Sequence, residues 1–240
     1  MKPFLILQLR PEAEASDDEF AAICAKGGLA EADTRRVRLD CEELGTVRLD
    51  DYSGVIVGGG PGCVSDPPEE KSPVEAKIEA AVLGLMPEIT ARDFPFLGCC
   101  YGIGILGKAL GGPVGKGRFG EPVGTSACRV VEGDPLLEGV AERFDAFVGH
   151  KEAMEALPGG CVQLVESGPC PFQMVRFRQN VYATQFHPEA DAAGFETRIR
   201  IYRHKGYFDP GEADGLIAMC RAAEVTEPEK ILRNFVARFG

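Results

Sequence analysis

Cys100 stands in a sequence setting that is typical of a nucleophile. A short apolar stretch leads into residues 98–102, which read Gly-x-Cys-x-Gly with Cys100 at the centre, and a helical pattern follows. The two flanking glycines permit a cramped strand-to-helix turn that projects the thiol, and the start of the helix favours its thiolate form. Cys99 would point the other way and is predicted to pack in the core. Taken alone, the segment fits a nucleophile and a tight connection with a buried thiol equally well.

A second segment could supply the acid–base chemistry that a cysteine nucleophile needs. A predicted strand ends in His187-Pro188-Glu189, and Pro188 prevents further strand pairing. Residues two apart on an extended chain face the same side, so His187 and Glu189 can point at one site. His187 can accept the thiol proton and return it to a leaving amine, while Glu189 can orient the imidazole. The alternative is a histidine that is hydrogen-bonded for structural reasons.

The third segment is the glycine-rich run 58–62, which follows an apolar strand. Free backbone N–H groups in such a loop can bind a developing oxyanion. A phosphate-binding loop is the weaker interpretation, because the run lacks both Gly-x-Gly-x-x-Gly spacing and a Gly-Lys-Ser/Thr ending. Pro61 also removes one donor.

The elements that must position these segments alternate between strands and helices. This alternation predicts a parallel sheet covered on both faces, with strands at residues 4–9, 54–57 and 94–97 and helices at 16–26, 74–90 and 102–110. After residue 111 the pattern changes to short strands separated by Gly/Pro turns, which predicts an antiparallel section at 122–131, 144–148, 161–165, 173–177 and 181–186. The C-terminal part is predicted to be helical at 195–204, 215–223 and 228–239. No linker interrupts the pattern, so residues 1–240 are predicted to form one domain.

Composition narrows the functional classes. The net charge is -11 and the pI about 4.9, which disfavours binding to nucleic acids or to anionic membranes. The N-terminal apolar run is too short for a signal peptide, and no run is long enough to cross a membrane. The nine cysteines include no CxxC pair, so no metal site is expected, and reduced thiols suggest a cytoplasmic protein.

Together, the three segments resemble the class I, or triad, glutamine amidotransferases, and within them the amidotransferase domain of GMP synthase. Residues 57–62 match the glycine-proline loop of the family, 95–102 match its cysteine turn, and 185–189 match its triad signature. Residues 148–152 are a looser match to the segment between them. The resemblance implies a flavodoxin-like α/β fold: a three-layer sandwich with a mostly parallel central sheet, helices on both faces and a small antiparallel appendage.

The resemblance also implies a mechanism. Cys100 would attack the γ-amide of glutamine or of a γ-glutamyl compound, and His187, held by Glu189, would protonate the departing amine. The backbone N–H groups of Gly60 and Tyr101 would hold the oxyanion, and water would then hydrolyse a γ-glutamyl thioester. No cofactor is implied, whereas a synthase that receives the ammonia is an implied partner. A homodimer is also considered.

Three further residues are expected to line the substrate site: Gly59, Gly104 and Gln185. Gly104 departs from the family, which often has a glutamine there that helps to hold the substrate, and the smaller residue would leave room for a bulkier γ-glutamyl compound. His150 is expected to be structural, with at most a minor role on the substrate side. No ATP-using domain follows within the sequence, so a complete GMP synthase is not expected.

Three functions from different classes therefore stay open. The first is an amide hydrolase that acts on glutamine or a γ-glutamyl amide, alone or feeding ammonia to another protein. The second is a γ-glutamyl peptidase without a synthase partner. The third is a non-catalytic binding protein on the same fold, against which the intact set of Cys100, His187 and Glu189 argues.

Overall fold

The computed structural model describes residues 2–240 of the chain. Eleven strands, β1 to β11, span Phe4–Gln8, Thr34–Arg38, Gly54–Val57, Phe96–Cys99, Val114–Gly115, Glu121–Val130, Arg143–His150, Ala153–Met154, Cys161–Ser167, Met174–Phe177 and Val181–Thr184. Six helices, α1 to α6, span Ala13–Gly27, Pro73–Arg92, Tyr101–Ala109, Ala192–Tyr202, Ala213–Ala222 and Pro228–Phe239.

Nine of the strands form one sheet, in the order β2-β1-β3-β4-β11-β10-β9-β6-β7. The pairings from β2 to β11 are parallel, and those from β11 to β7 are antiparallel. Only β6 and β10 therefore run against the other strands, so the sheet is mostly parallel. β5 and β8 form a separate two-stranded antiparallel sheet.

Alternation along β1 shows how the layers form. Leu5 and Leu7 belong to one buried apolar cluster, whereas Phe4 and Ile6 belong to another, because successive side chains point to opposite faces of the sheet. The first cluster includes residues of α2 and α3, and the second includes residues of α1 and α6. The sheet is covered by helices on both faces, which confirms the predicted three-layer α/β class.

Several elements differ from the predicted ones, among them β4 and β2. Strand β4 ends at Cys99 and not at residue 97, so the strand runs directly into Cys100. Strand β2 was not predicted, because its sequence Thr-Arg-Arg-Val-Arg carries a single fully buried residue, Val37, at the edge of the sheet.

The topology brings the three chemical segments together. β3, β4 and β11 are neighbours, with Val57 opposite Gly98 and Cys99 opposite Thr184. The glycine-rich loop, the Cys100 turn and His187 all follow the carboxyl ends of these parallel strands, and such an edge is where open α/β sheets hold their ligands. Across residues 2–240, no helix combines the length and apolarity that a membrane crossing requires.

Candidate active site

The backbone at Cys100 has the conformation of a nucleophile turn. Its φ of 53° and ψ of -92° lie outside the regions that non-glycine residues normally adopt, and its N–H donates to the carbonyl of Thr184 at 2.8 Å. A Cβ atom on Gly98 would lie 2.8 Å from the backbone of Gly102, so the turn closes only because Gly98 has no side chain. Cys99 is buried in the core, as predicted.

His187 and Glu189 form a buried pair beside this turn. The Nδ1 atom of His187 lies 2.9 Å from Oε1 of Glu189, and the backbone N–H of His187 donates to the carbonyl of Phe147. Nε2 is consequently the ring nitrogen left for proton transfer, and His187 and Cys100 line the same cavity. The spacing of the two residues therefore places them together at the thiol.

The resting protonation of the nucleophile differs from the expectation. Burial raises the pKa of Cys100 to about 12, although the charges of Arg10 and Arg198 oppose this effect. Burial also lowers the pKa of His187, aided by the same two arginines and opposed by Glu189. The effect of the helix start does not outweigh burial, so the site holds a thiol beside a neutral imidazole.

Glu189 stays ionised although it is fully buried. Burial raises its pKa, but His187 and Arg198 lower it more, and the net pKa falls well below the usual range. Nη2 of Arg198 lies 2.9 Å from Oε1 of Glu189. Sequence reasoning missed Arg198, because it lies on α4, where no pattern separates it from the exposed Arg200 of the same helix.

The two residues predicted to form the oxyanion hole lie together at Cys100. Gly60 and Tyr101 both line the cavity that holds the thiol. Tyr101 is the first residue of α3, so its N–H has no acceptor within the helix. The N–H of Gly60 donates to no group among residues 2–240. Both donors are therefore free to meet an oxygen.

Gly59 has a role other than the predicted substrate contact. Its N–H donates to Oε1 of Glu19 at 3.0 Å, so the donor is already used, and Gly59 lies outside the walls of both cavities at Cys100. A Cβ at this position would lie 2.7 Å from both the His187 ring and the Arg10 guanidinium. Gly59 is therefore needed for the close approach of the imidazole. Arg10, at the carboxyl edge of β1, pairs with the buried Glu19 at 2.9 Å.

The cavity on the Tyr101 side of Cys100 is called the elbow cavity; it is lined by Gly60, Cys100, Tyr101, Gly104, Glu152 and Gln185, among others. The space predicted beside Gly104 is not open, because a Cβ there would lie 2.7 Å from Oε1 of Glu152. That carboxylate is held by the N–H groups of Val64 and Ser65 and by the Ser65 hydroxyl, at 2.7 to 2.9 Å. Oε1 of Gln185 is buried and has no partner among residues 2–240.

A second cavity opens on the His187 side of Cys100. This arginine cavity is lined by Arg10, Cys100, His187, Phe195, Arg198 and Tyr207, among others. Tyr207 borders both cavities from the segment that joins α4 to α5, and its ring packs 5.3 Å from that of Tyr202. No sequence pattern pointed to this segment, because it has neither helical nor strand periodicity.

His150 is held in a buried hydrogen-bond network and also lines the elbow cavity, so its minor role on the substrate side stays a prediction. Its Nδ1 lies 2.8 Å from the carbonyl oxygen of Glu152, and its Nε2 lies 2.9 Å from the carboxylate of Glu121. With Cys170, these residues form the single cluster among residues 2–240 that could in principle hold a metal ion. Both ring nitrogens of His150 are already engaged by protein oxygens, so the cluster serves as a buried hydrogen-bond network that holds the backbone at Glu152.

Comparisons with known proteins agree with this geometry. The family model described as Glutamine amidotransferase class-I matches residues 18–200. The glutamine-hydrolysing GMP synthase subunit of Archaeoglobus fulgidus is 28% identical over 158 residues, which cover 65% of this chain and 76% of that protein. The GMP synthase of Thermosipho melanesiensis is 32% identical over 165 residues, or 67% of this chain, but the match spans only 28% of that longer protein.

Solved structures share the fold. A glutamine amidotransferase from Thermotoga maritima has a TM-score of 0.78 at 23% identity, with 100% of this chain and 98% of that chain covered. A protein from Thermoplasma acidophilum that is described as a subunit of a GMP synthase has a TM-score of 0.66 at 18% identity. The match covers 99% of this chain and 94% of that chain.

Proposed function

The chain belongs to the class-I glutamine amidotransferase family and is a glutamine amidotransferase-like hydrolase, and from that premise we propose the reaction it performs. The proposed reaction is hydrolysis of the γ-amide of glutamine or of a γ-glutamyl compound through a thioester on Cys100. The observation that carries the proposal is the strained turn at Cys100 beside the buried pair of His187 and Glu189.

The first half of the reaction forms the thioester. Nε2 of His187 accepts the thiol proton while Sγ of Cys100 attacks the γ-carbonyl carbon, and the oxygen takes the negative charge. The free N–H groups of Gly60 and Tyr101 suit that oxygen, since donors placed for the oxyanion stabilise it without reorganising. Glu189 offsets the positive charge of His187 at this stage, so the imidazolium forms despite its burial. Collapse of the intermediate breaks the C–N bond, and the amine leaves with the proton from His187.

The second half releases glutamate. His187, neutral again, takes a proton from water while the water oxygen attacks the thioester carbon. The C–S bond then breaks, and the thiolate of Cys100 recovers its proton from His187. The water supplies the hydroxyl of the new carboxyl group. Its other hydrogen restores the thiol of Cys100, whose own proton left with the amine.

The elbow cavity suits the glutamyl part of the substrate. An α-amino group is a cationic donor, and the cavity offers the carboxylate of Glu152 and the unpartnered Oε1 of Gln185 as acceptors. We assign Gln185 and Glu152 to that ammonium group, and Gly104 to the wall against which Glu152 lies. Sequence reasoning left Glu152 as part of a loosely matched segment and gave it no role.

The destination of the ammonia follows from the relatives. Two proteins similar to this chain are named as one subunit of a glutamine-hydrolysing GMP synthase, so a separate synthase is the proposed recipient of ammonia from glutamine. A γ-glutamyl peptidase is the second candidate, and the unpartnered guanidinium of Arg198 in the arginine cavity favours it, because ammonia carries no group for a guanidinium to bind. A homodimer stays a prediction.

A direct assay tests the proposed reaction. Purified protein is incubated with glutamine and with γ-glutamyl amides, and glutamate release is compared among wild type, Cys100→Ala and Cys99→Ala. The matched control removes a buried thiol one residue away, so it reports any general effect on the core. We expect Cys100→Ala to lose turnover while Cys99→Ala keeps it. Full turnover by Cys100→Ala, or none by the wild type with any substrate, would overturn the proposal.

A further inference from the structure

The arginine cavity contains a charged group that the mechanism leaves partly unused. Arg198 is 5% exposed, and Nε, Nη1 and Nη2 donate to no oxygen among residues 2–240. The 2.9 Å approach of Nη2 to Glu189 is therefore an ion pair without an aligned hydrogen bond. A buried guanidinium with unfilled donors is costly, because it has lost its hydration. The three nitrogens are buried in this structure, so a ligand oxygen in the cavity would satisfy them once the neighbouring wall moves.

Arg10 also lines this cavity, but two of its nitrogens already donate to protein oxygens. Arg10 donates from Nε to Glu19 at 2.9 Å and from Nη1 to the hydroxyl of Tyr202 at 3.2 Å. Among residues 2–240, Nη2 of Arg10 has no acceptor either, but Arg198 has three unfilled nitrogens and is therefore the stronger anchor for a new anionic partner. A carboxylate matches it best, since guanidinium and carboxylate form paired, charge-assisted hydrogen bonds.

The rest of the wall is apolar and aromatic. Phe195 and Ile199 come from α4, on the same helix as Arg198, and Tyr207 and Phe208 come from the segment that follows α4. An occupant of this cavity therefore meets the guanidinium of Arg198, with that of Arg10 on the same wall, and a surface of hydrocarbon and rings. An α-amino acid with an apolar side chain has this combination of groups.

The place of the cavity relative to the reacting atoms decides its role. It borders Cys100 and His187 but not Gln185 or Glu152, which line the elbow cavity on the other side of the thiol. His187 is the group that protonates the leaving amine, so the leaving group departs on its side. On the basis of the proposed function, we propose that the arginine cavity is a leaving-group subsite and that the substrates are γ-glutamyl amino acids whose carboxylate binds Arg198.

In this structure the arginine cavity has a free volume of about 40 Å³, which is room for a few water molecules only. The segment at residues 203–209 is largely exposed and supplies Tyr207 and Phe208 to the wall. Binding of an amino acid leaving group therefore requires this segment to move outward.

Three substrates separate this proposal from the general reaction: glutamine, γ-glutamyl-phenylalanine, and its amide, in which the terminal carboxylate is a neutral carboxamide. kcat/KM is measured from glutamate release. We expect wild type to prefer the acid over the amide by roughly 10- to 100-fold, as for a hydrogen-bonded charge. In Arg198→Gln the ratio should fall to about 1, and Arg198→Lys should keep part of it.

The ratio of kcat/KM for the acid to that for the amide distinguishes a direct contact of Arg198 with the substrate from an effect of Arg198 through Glu189. If Arg198 only positions Glu189, its replacement slows the acid and the amide equally and leaves their ratio unchanged, which would overturn the proposal. Phe208→Ala, which removes a ring of the cavity wall, should reduce the preference for γ-glutamyl-phenylalanine over γ-glutamyl-glycine, and an unchanged preference would contradict the apolar wall. Turnover of glutamine without turnover of γ-glutamyl amino acids would refute the subsite and leave the proposed hydrolysis intact. If the wild-type protein turned over none of these substrates, the proposed hydrolysis itself would be refuted.

Discussion

Replacement of Gly59 by alanine tests whether the proposed reaction requires the imidazole of His187 in its observed position. The new Cβ would lie 2.7 Å from Cε1 of His187, about 0.7 Å short of an ordinary contact of 3.4 Å. His187 cannot move freely, because Glu189 holds its ring and Phe147 holds its backbone. Arg10, equally close to the new atom, is held by Glu19. The imidazole therefore has to shift by most of this distance.

A misplacement of about 1 Å can cost on the order of 100-fold in rate, so we expect Gly59→Ala to lower kcat/KM by roughly 30- to 100-fold. Stability should fall by only about 1–3 kcal/mol from overpacking, since Gly59 does not need a left-handed backbone. The matched control is Gly84→Ala in α2, where no atom lies within 4 Å of the added Cβ. It should keep full activity and gain roughly 0.5–1 kcal/mol of stability. Activity of Gly59→Ala within about twofold of wild type would refute the steric argument.

Three further predictions concern the same site. Gly98→Ala should lower the free energy of unfolding by about 2–4 kcal/mol in a denaturant titration, because its Cβ meets rigid backbone at 2.8 Å; a loss under about 1 kcal/mol would contradict this. Gly104→Ala should raise the KM for glutamine more than it changes kcat, because the Cβ displaces the Glu152 carboxylate; an unchanged KM would argue against Glu152 as the ammonium partner. Arg198→Gln should move the acid limb of the pH–kcat/KM profile to higher pH, because Arg198 lowers the pKa of His187 and its removal raises that pKa. A shift to lower pH would show that the limb belongs to another group.

Local pattern was sufficient for the parts of the fold that bury continuous apolar runs. β3 was predicted with its observed bounds, Gly54–Val57, because it is a continuous apolar run, and α6 with its bounds, Pro228–Phe239, because its apolar residues recur at helical spacing. β2 was missed, since an edge strand with one buried valine looks like a charged loop. Its place in the sheet is set by pairing with β1, a long-range contact that no local pattern carries.

In the candidate site, too, the roles tied to short motifs were predicted and the roles that depend on distant residues were not. The sequence pointed to Cys100, His187 and Glu189 because each chemical role is tied to a short motif. Roles that depend on atoms from distant parts of the chain were not visible: the position beside Gly104 is filled by Glu152, and Gly59 donates to Glu19. The raised pKa of the Cys100 thiol was also not visible in the sequence. It comes from burial by several segments of the chain, which outweighs the stabilisation of the thiolate by the start of α3.

Covalent trapping of the nucleophile tests the central claim most directly. The protein is treated with a glutamine-analogue alkylating agent, digested and mapped by mass spectrometry across its nine cysteines, with His187→Ala as the comparison. Because the thiol of Cys100 is protonated at rest, its reaction requires both recognition of the glutamyl group and proton transfer to His187. We predict one adduct, on Cys100, protected by excess glutamine or γ-glutamyl substrate and strongly slowed in His187→Ala. Labelling of another cysteine while Cys100 stays unmodified would contradict the assignment of Cys100 as the nucleophile.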